Sequence, residues 1–379
     1  MAEYYTDQIL TYMGNKRKVL PHIEEIVEHI KGALGGKDKL TIGDGFAGSG
    51  IVSRLFKQHA SVLYANDLAG YSHTLNQCYL ANPDEATVAH IRHLIAAANA
   101  FVNRGAPSQE PPFIQRYWAP QNDAAIQEGE RVYFTQENAR RIDCYQDYIR
   151  HHVPPAYRPF LLAPLLVQAS VHNNCSGNFA AFYKKDAVGH YGGKHEIDLK
   201  RITQPIELPP QPLFCVNACQ VHVTQQDAQE WATTQEMPEL DLVYYDPPYN
   251  KHPYHIYYFL LDIINTWDPQ MAVPETFRGQ PKKWRASAFN SFSKARDAFD
   301  LLIRHTRAKY ILVSYNNEGI IPEKDMKALL SQYGTVTEKI ITHSTYNRMK
   351  GIAEYKKSAD KAAQPKIKEC LYLLKTSAF

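Results

Sequence analysis

Asp246-Pro247-Pro248-Tyr249 is the stretch with the most chemistry in it. It closes the apolar, β-prone run Leu242-Val243-Tyr244-Tyr245. The two prolines have no N–H to give, so a strand must stop there. Ligands of open α/β sheets sit beyond the carboxyl ends of the strands. A carboxylate, stiff carbonyls and an aromatic ring in that place form a clamp for a flat base that carries an amino group.

Three acids upstream share that strand-end character. Asp44 closes a short strand beginning near Leu40 and opens the glycine-rich turn Gly45-Phe46-Ala47-Gly48-Ser49-Gly50. Glycines let backbone come close to a ligand. No Gly-Lys-Ser/Thr follows, so the turn is not a phosphate-binding loop of the Walker type. Asp67 ends the strand Ser61–Asn66, about twenty residues after the turn, where an acid binds ribose hydroxyls in nucleoside-binding βαβ units. Asp227 follows a weaker strand region, Phe214–Val223. Near the start, Tyr12-Met13-Gly14-Asn15-Lys16 precedes a helix with Leu20, Ile23, Val27 and Ile30 at helical spacing. Asn15 suits the cap of an ordinary amphipathic helix. The helix start and Lys16 equally suit an anion such as a carboxylate.

The elements that must position these groups alternate as strand and helix, except in the middle. There the spacing predicts a helix over 84–104, a Pro- and Gln-containing loop over 105–123, a helix capped by Thr135 and ended by Pro154-Pro155, and an apolar helix over 158–171. A polar, glycine-containing segment follows, from His172 to His195, with Asn174, Lys184 and Lys185. Amides and bases there suit base-edge and phosphate contacts, and a solvated loop equally well. Arg278 to Arg296 carries Lys282, Lys283 and Arg285 among interleaved aromatics and no acid until Asp297. That is the best local footprint for a phosphate backbone, the alternative being a solvated loop. A strand over 308–315, a helix over 323–333 and two strands joined by a basic loop complete the chain as a C-terminal hairpin.

The totals narrow the class. The chain has 379 residues, 44% hydrophobic and 21% charged, with a formal net charge of +3, as in ordinary globular proteins. That charge is too mild to establish nucleic-acid binding. No apolar run approaches the ~18 residues of a membrane helix, and the first residues lack the features of a secretory signal; a cytoplasmic location is expected. The six cysteines include no Cys-x-x-Cys pair, so reduced thiols and no metal site are expected.

Taken in this order, the parts resemble the Dam-like, α-group adenine-specific DNA methyltransferases, which use S-adenosyl-L-methionine. Matching stretches are Tyr12–Lys16 with its helix, Asp44–Gly50, Asp67, Tyr133-Phe134-Thr135, Asp227-Ala228, the tetrapeptide, and Ser314–Gly319. The resemblance implies that Tyr12 and Lys16 hold the methionine end of the cofactor. Asp44, Phe46, Gly48 and Gly50 would line its pocket, Asp67 would take the ribose hydroxyls and Asp227 the adenine amine. Asp246, Pro247 and Tyr249 would take a target adenine flipped from the duplex and methylated on N6. Ala228 stands where the family often has an aromatic, which leaves one pocket wall undefined.

The implied fold is a Rossmann-like α/β methyltransferase sheet, mostly parallel with a C-terminal antiparallel hairpin. Residues 1–83 and 205–379 would form the catalytic domain, and 84–204 a mainly helical inserted target-recognition domain. Asn174, Lys184, Lys185, Lys282, Lys283 and Arg285 are the expected contacts to double-stranded DNA. A monomer, a restriction–modification or genome-marking role and a cognate restriction endonuclease are further expectations. The competing readings are an RNA or protein methyltransferase with the same clamp, and a non-catalytic nucleic-acid-binding protein of the same fold.

Overall fold

Apolar runs rich in β-branched and aromatic residues become most of the strands of the main sheet; the strands are Leu40–Asp44 (β1), Ala60–Asn66 (β2), Lys184–Lys185 (β3), Val188–Gly189 (β4), Gln220–Thr224 (β5), Leu240–Tyr245 (β6), Ala308–Asn316 (β7), Gly334–His343 (β8) and Ile367–Thr376 (β9). The computed structural model describes residues 4–5, 7–105, 110–233, 238–249, 251, 253–282, 287–343 and 367–377. Lys283 and Arg285, and the basic loop before β9, lie outside the described residues. The main sheet runs β5-β2-β1-β6-β7-β9-β8. Pairing is parallel from β5 through β7 and antiparallel between β7 and β9 and between β9 and β8. This is the mostly parallel sheet with an antiparallel end that the sequence implies.

Central β6 is buried along its whole length, as a parallel strand covered on both faces must be. One face is covered by helices Leu20–Ala33 and Ile51–His59, the other by Ala295–His305 and Glu323–Leu330. In the first of these, Leu20, Ile23, Val27 and Ile30 are the buried stripe, and Pro21 is tolerated in the first turn. The sheet order reverses direction between β1 and β6, because β1 is followed in sequence by β2 on one side while β6 enters on the other. That switch point opens a crevice at the carboxyl ends of the strands.

The middle section packs as helices Glu85–Asn103, Gln136–His152 and Arg158–Val171. Asp84 caps the first through Thr87 N–H at 2.7 Å, and Thr135 caps the second through Asn138 N–H at 3.1 Å. The apolar core of these helices continues into helices Gly70–Tyr79 and Tyr254–Thr266. Residues 70–79 therefore pack with the middle section although they precede position 84. The span expected as loop holds a short helix, Ile114–Trp118. Asp143 fixes it by accepting the N–H groups of Phe113, Ile114 and Gln115. The β5 region is shorter than expected, because the backbone pairs with β2 only from Gln220 onward. No helix among the described residues is long and apolar enough to cross a membrane.

Candidate active site

A cavity of about 460 Å³ occupies the switch-point crevice, within the range of small-molecule sites. Its wall is built from strand ends. Gly45 to Ser49 leave β1, Asp67 to Tyr71 leave β2, Gln225 to Ala228 leave β5, and Asp246 and Pro248 leave β6. Tyr12 to Lys16 close it from the segment before the first helix.

The glycine turn is shaped by need. Gly48 and Gly50 have φ of +52° and +78°, a left-handed backbone that side chains disfavour. Gly48 donates its N–H to Asp67 Oδ2 at 2.8 Å, and Ala69 donates to Oδ1 at 2.9 Å. Asp67 is thus held at the cavity wall by two backbone donors. Burial raises its pKa, and those donors oppose the rise. Asp227 also lines the cavity and accepts from Gln229 N–H at 2.9 Å, capping the short helix Ala228–Ala232.

Two of the expected lining residues are not in the wall. Asp44 is fully buried behind it, accepting from Ser53 Oγ at 2.5 Å and Phe46 N–H at 3.4 Å. Burial pushes its pKa up to about 7. Asp44 therefore braces the turn from behind the wall. Gly50 is also outside the lining. A Cβ there would lie 2.6 Å from Asn76 Oδ1, so its role is to let helix Ile51–His59 start against Asn76.

Tyr12 stacks on Tyr254 and Tyr258 with ring centroids 5.2 Å and 4.8 Å apart. Its hydroxyl lies 3.1 Å from that of Tyr71. The aromatic run after the tetrapeptide serves both the site and the core: Tyr254 and His255 line the cavity, while Tyr258 and Phe259 are buried. The wall that Ala228 leaves undefined is met by Phe289, which lines the cavity and packs edge-on against Phe46 at 5.4 Å. Phe289 is one of the aromatics interleaved in the basic run, and Ser287 and Asn290 beside it are wall residues too.

Asp246 meets Lys16, whose Nζ is 3.0 Å from Asp246 Oδ1 and 2.8 Å from Glu369 Oε1. Lys16 is 4% exposed. Burial works against its charge, but Asp246 and Glu369 outweigh it and hold the ammonium pKa well above the ordinary value. Burial raises Asp246 to about 7; Lys16 opposes this and Glu369 adds to it. The tetrapeptide's Pro247 is buried outside the cavity lining, and half-buried Tyr249 packs edge-on to Tyr315 with centroids 6.2 Å apart. Glu369 was missed from sequence. It had one signal: alternation along β9 puts it on the core face with Leu371 and Leu373, where a lone acid is out of place.

The expected DNA contacts divide. Asn174 is a correction, because it is fully buried and its amide is used internally. Its Nδ2 donates to Val132 O at 2.9 Å and His190 O at 3.2 Å, and its Oδ1 accepts from Gly192 N–H at 3.0 Å. It folds the polar loop and cannot also read a base edge. Lys184 and Lys185 form β3 of a small antiparallel ribbon with β4, and Lys185 is exposed. Lys184 Nζ lies 3.8 Å from the Phe277 ring centroid, a cation–π contact. Lys282 is exposed.

The family model described as D12 class N6 adenine-specific DNA methyltransferase matches residues 12–329. The Type II methyltransferase M.NlaIII of Neisseria lactamica is 29% identical over 350 residues, 90% of this chain and 92% of that protein. The modification methylase LlaI of Lactococcus lactis subsp. lactis is 27% identical over 341 residues, 86% of this chain and 49% of that protein. The Type II methyltransferase M.FokI of Planomicrobium okeanokoites is 26% identical over 353 residues, 90% of this chain and 50% of that protein. The chain thus spans nearly all of the first relative and about half of the other two.

Proposed function

The chain belongs to the D12 class N6 adenine-specific DNA methyltransferase family and is an adenine DNA methyltransferase, and we propose that it takes its methyl group from S-adenosyl-L-methionine in the 460 Å³ cavity and delivers it at Asp246. The observation that carries this reading is that Asp67, Asp227 and Asp246, which leave three different strands, meet in one cavity wall. Its volume and its set of carboxylate acceptors fit a nucleoside-bearing ligand. Asp67 has acceptor capacity for ribose hydroxyls beyond its two backbone donors, and Asp227 stands ready for an amine. The order of the parts, cofactor turn before insertion before tetrapeptide, supports the Dam-like, α-group arrangement.

When bound, the donor supplies an electrophilic methyl group on a sulfonium. The residues of the chain prepare the acceptor. The exocyclic amine of adenine is a weak nucleophile, because its lone pair is spread into the ring. Asp246 and the Pro247 carbonyl accept its two N–H bonds and favour a tetrahedral nitrogen. Taking up the methyl group would leave the amine with one proton too many, and that proton must pass to a group at the site. With a pKa of about 7, Asp246 is matched to receive that proton near neutrality. Tyr249 provides a ring for the base, which must leave the helical stack to reach the site.

The helical section 84–204 acts as the target-recognition module, and Lys184, Lys185, Lys282, Lys283 and Arg285 as phosphate contacts. The relatives' names, Type II methyltransferase and modification methylase, support a restriction–modification role with a cognate endonuclease as partner. The test is transfer of labelled methyl from S-adenosyl-L-methionine to DNA of varied sequence, with digestion to nucleosides. N6-methyladenine is the expected product. Transfer only to RNA or protein, or to no DNA in a varied set, overturns the proposal.

A further inference from the structure

We propose that Glu369 is a positioning residue for methyl transfer: it shares the Lys16 ammonium with Asp246 and so leaves the Asp246 carboxylate available to the target amine. This rests on the reading of Asp246 as the amine acceptor.

The geometry is a polar row across three strands. Leu242, Tyr244 and Asp246 alternate on one face of β6 and its end, and Tyr310, Leu312 and Ser314 on the same face of β7. β9 runs the other way, with Leu373 and Leu371 followed by Glu369 on that face. All three strands are therefore apolar at one end of this face and polar at the cavity end. Glu369, 4% exposed, accepts from Ser314 Oγ at 2.5 Å and from Lys16 Nζ at 2.8 Å. Asp246 Oδ1 is 3.0 Å from the same nitrogen.

One ammonium thus serves two carboxylates. A buried charge without a partner is strongly disfavoured, so a Lys16 deprived of Glu369 must pair with Asp246 alone. That pairing lowers the proton affinity of Asp246 and occupies an oxygen that the amine needs. The other groups facing Asp246 are the hydroxyls of Tyr244, Tyr249 and Tyr254 and the buried carboxyl of Asp44. Each of these side chains comes from a different position than β9, and none but Glu369 competes for Lys16 at ion-pair distance among the described residues.

The test is the pH dependence of single-turnover methyl transfer by the full chain, at saturating S-adenosyl-L-methionine and substrate DNA. Glu369→Gln is expected to move the acid limb to lower pH by about one unit and to lower the plateau several-fold. Glu369→Asp, which keeps the charge, is expected to return the limb to its original position. Donor affinity by calorimetry is expected to be unchanged in both. Should the glutamine variant unfold, Glu369→Thr takes its place as a strand-compatible neutral residue. An acid limb that stays in place, with rate reduced equally at every pH, makes Glu369 merely structural and overturns the proposal. Absence of transfer by the unaltered protein overturns the reading of Asp246 instead.

Discussion

Lys16 Nζ stands 3.0 Å from Asp246 Oδ1, with side chains 5% and 19% exposed. The ion pair ties the segment before the first helix to the carboxyl end of β6, so the two ends of the crevice are fixed to each other. It also favours the charged form of a carboxylate whose burial works the other way.

Asp246→Asn tests that carboxylate directly. Asparagine keeps the shape but replaces one acceptor oxygen by an NH2 group, which faces the Lys16 ammonium or the target amine unfavourably. Preorganised polar contacts of this kind are worth about 10²–10³ in rate. Methyl transfer is expected to fall by at least that much, while donor affinity measured by calorimetry stays within about twofold, because Asp67 and Asp227 are untouched. Full activity in the variant would refute the clamp.

Acidity provides a second test. In the proposed mechanism the acceptor is the ionised form of Asp246, whose pKa burial raises to about 7. Transfer by the free enzyme is therefore expected to rise with pH and to be half-maximal near 7, falling about tenfold per unit below it. Stability runs the opposite way. The folded state binds a proton that the unfolded chain, with an aspartate near 3.9, releases, so this group's contribution falls as pH rises from about 4 to about 7. Rate and urea midpoint measured across that range decide the matter; a flat rate profile through neutrality is incompatible with it.

Much of this was legible in the sequence, for physical reasons that differ by residue. Asp67 and Asp246 were readable because strands end abruptly, one in a turn and one in two prolines. The stripe Leu20, Ile23, Val27 and Ile30 was readable because helical spacing is local. Glu369 was not, since it lies 353 residues from its partner Lys16 and only the sheet brings them together. Asn174 misled because an amide that folds a loop and one that reads a base look alike in sequence. Asp44 sat one layer too deep: the spacing that puts an acid at a strand end does not say which way the carboxylate turns.

Gly50→Ala probes the turn. The added methyl meets Asn76 Oδ1 at 2.6 Å, and φ is +78°. Asn76 cannot move freely, because its Nδ2 donates to Ser72 O at 2.9 Å and Gly48 O at 3.3 Å. A left-handed alanine costs about 1–2 kcal/mol. Urea unfolding is expected to show a loss of at least that size. Donor affinity is expected to drop with it, because Gly48 and its bond to Asp67 belong to the same turn. Unchanged stability would mean that the turn relaxes without cost.

The basic run after helix Tyr254–Thr266 is best tested by salt. Trp118 Nε1 bonds Arg278 O at 3.1 Å, and the Arg131 guanidinium bonds Pro274 O at 2.7 Å, so the start of this run is anchored to the helical section. Lys282 follows that anchored portion and is exposed. Phosphate contacts reveal themselves by counterion release, with a slope of log affinity on log salt near −0.9 per contact. Replacing Lys282, Lys283 and Arg285 together by alanine is expected to weaken binding to all duplexes alike and to reduce the slope by about 2–3. Preference between cognate and unrelated DNA should be kept, since phosphates carry no sequence. A slope equal to that of the unaltered protein would assign these three side chains to solvent.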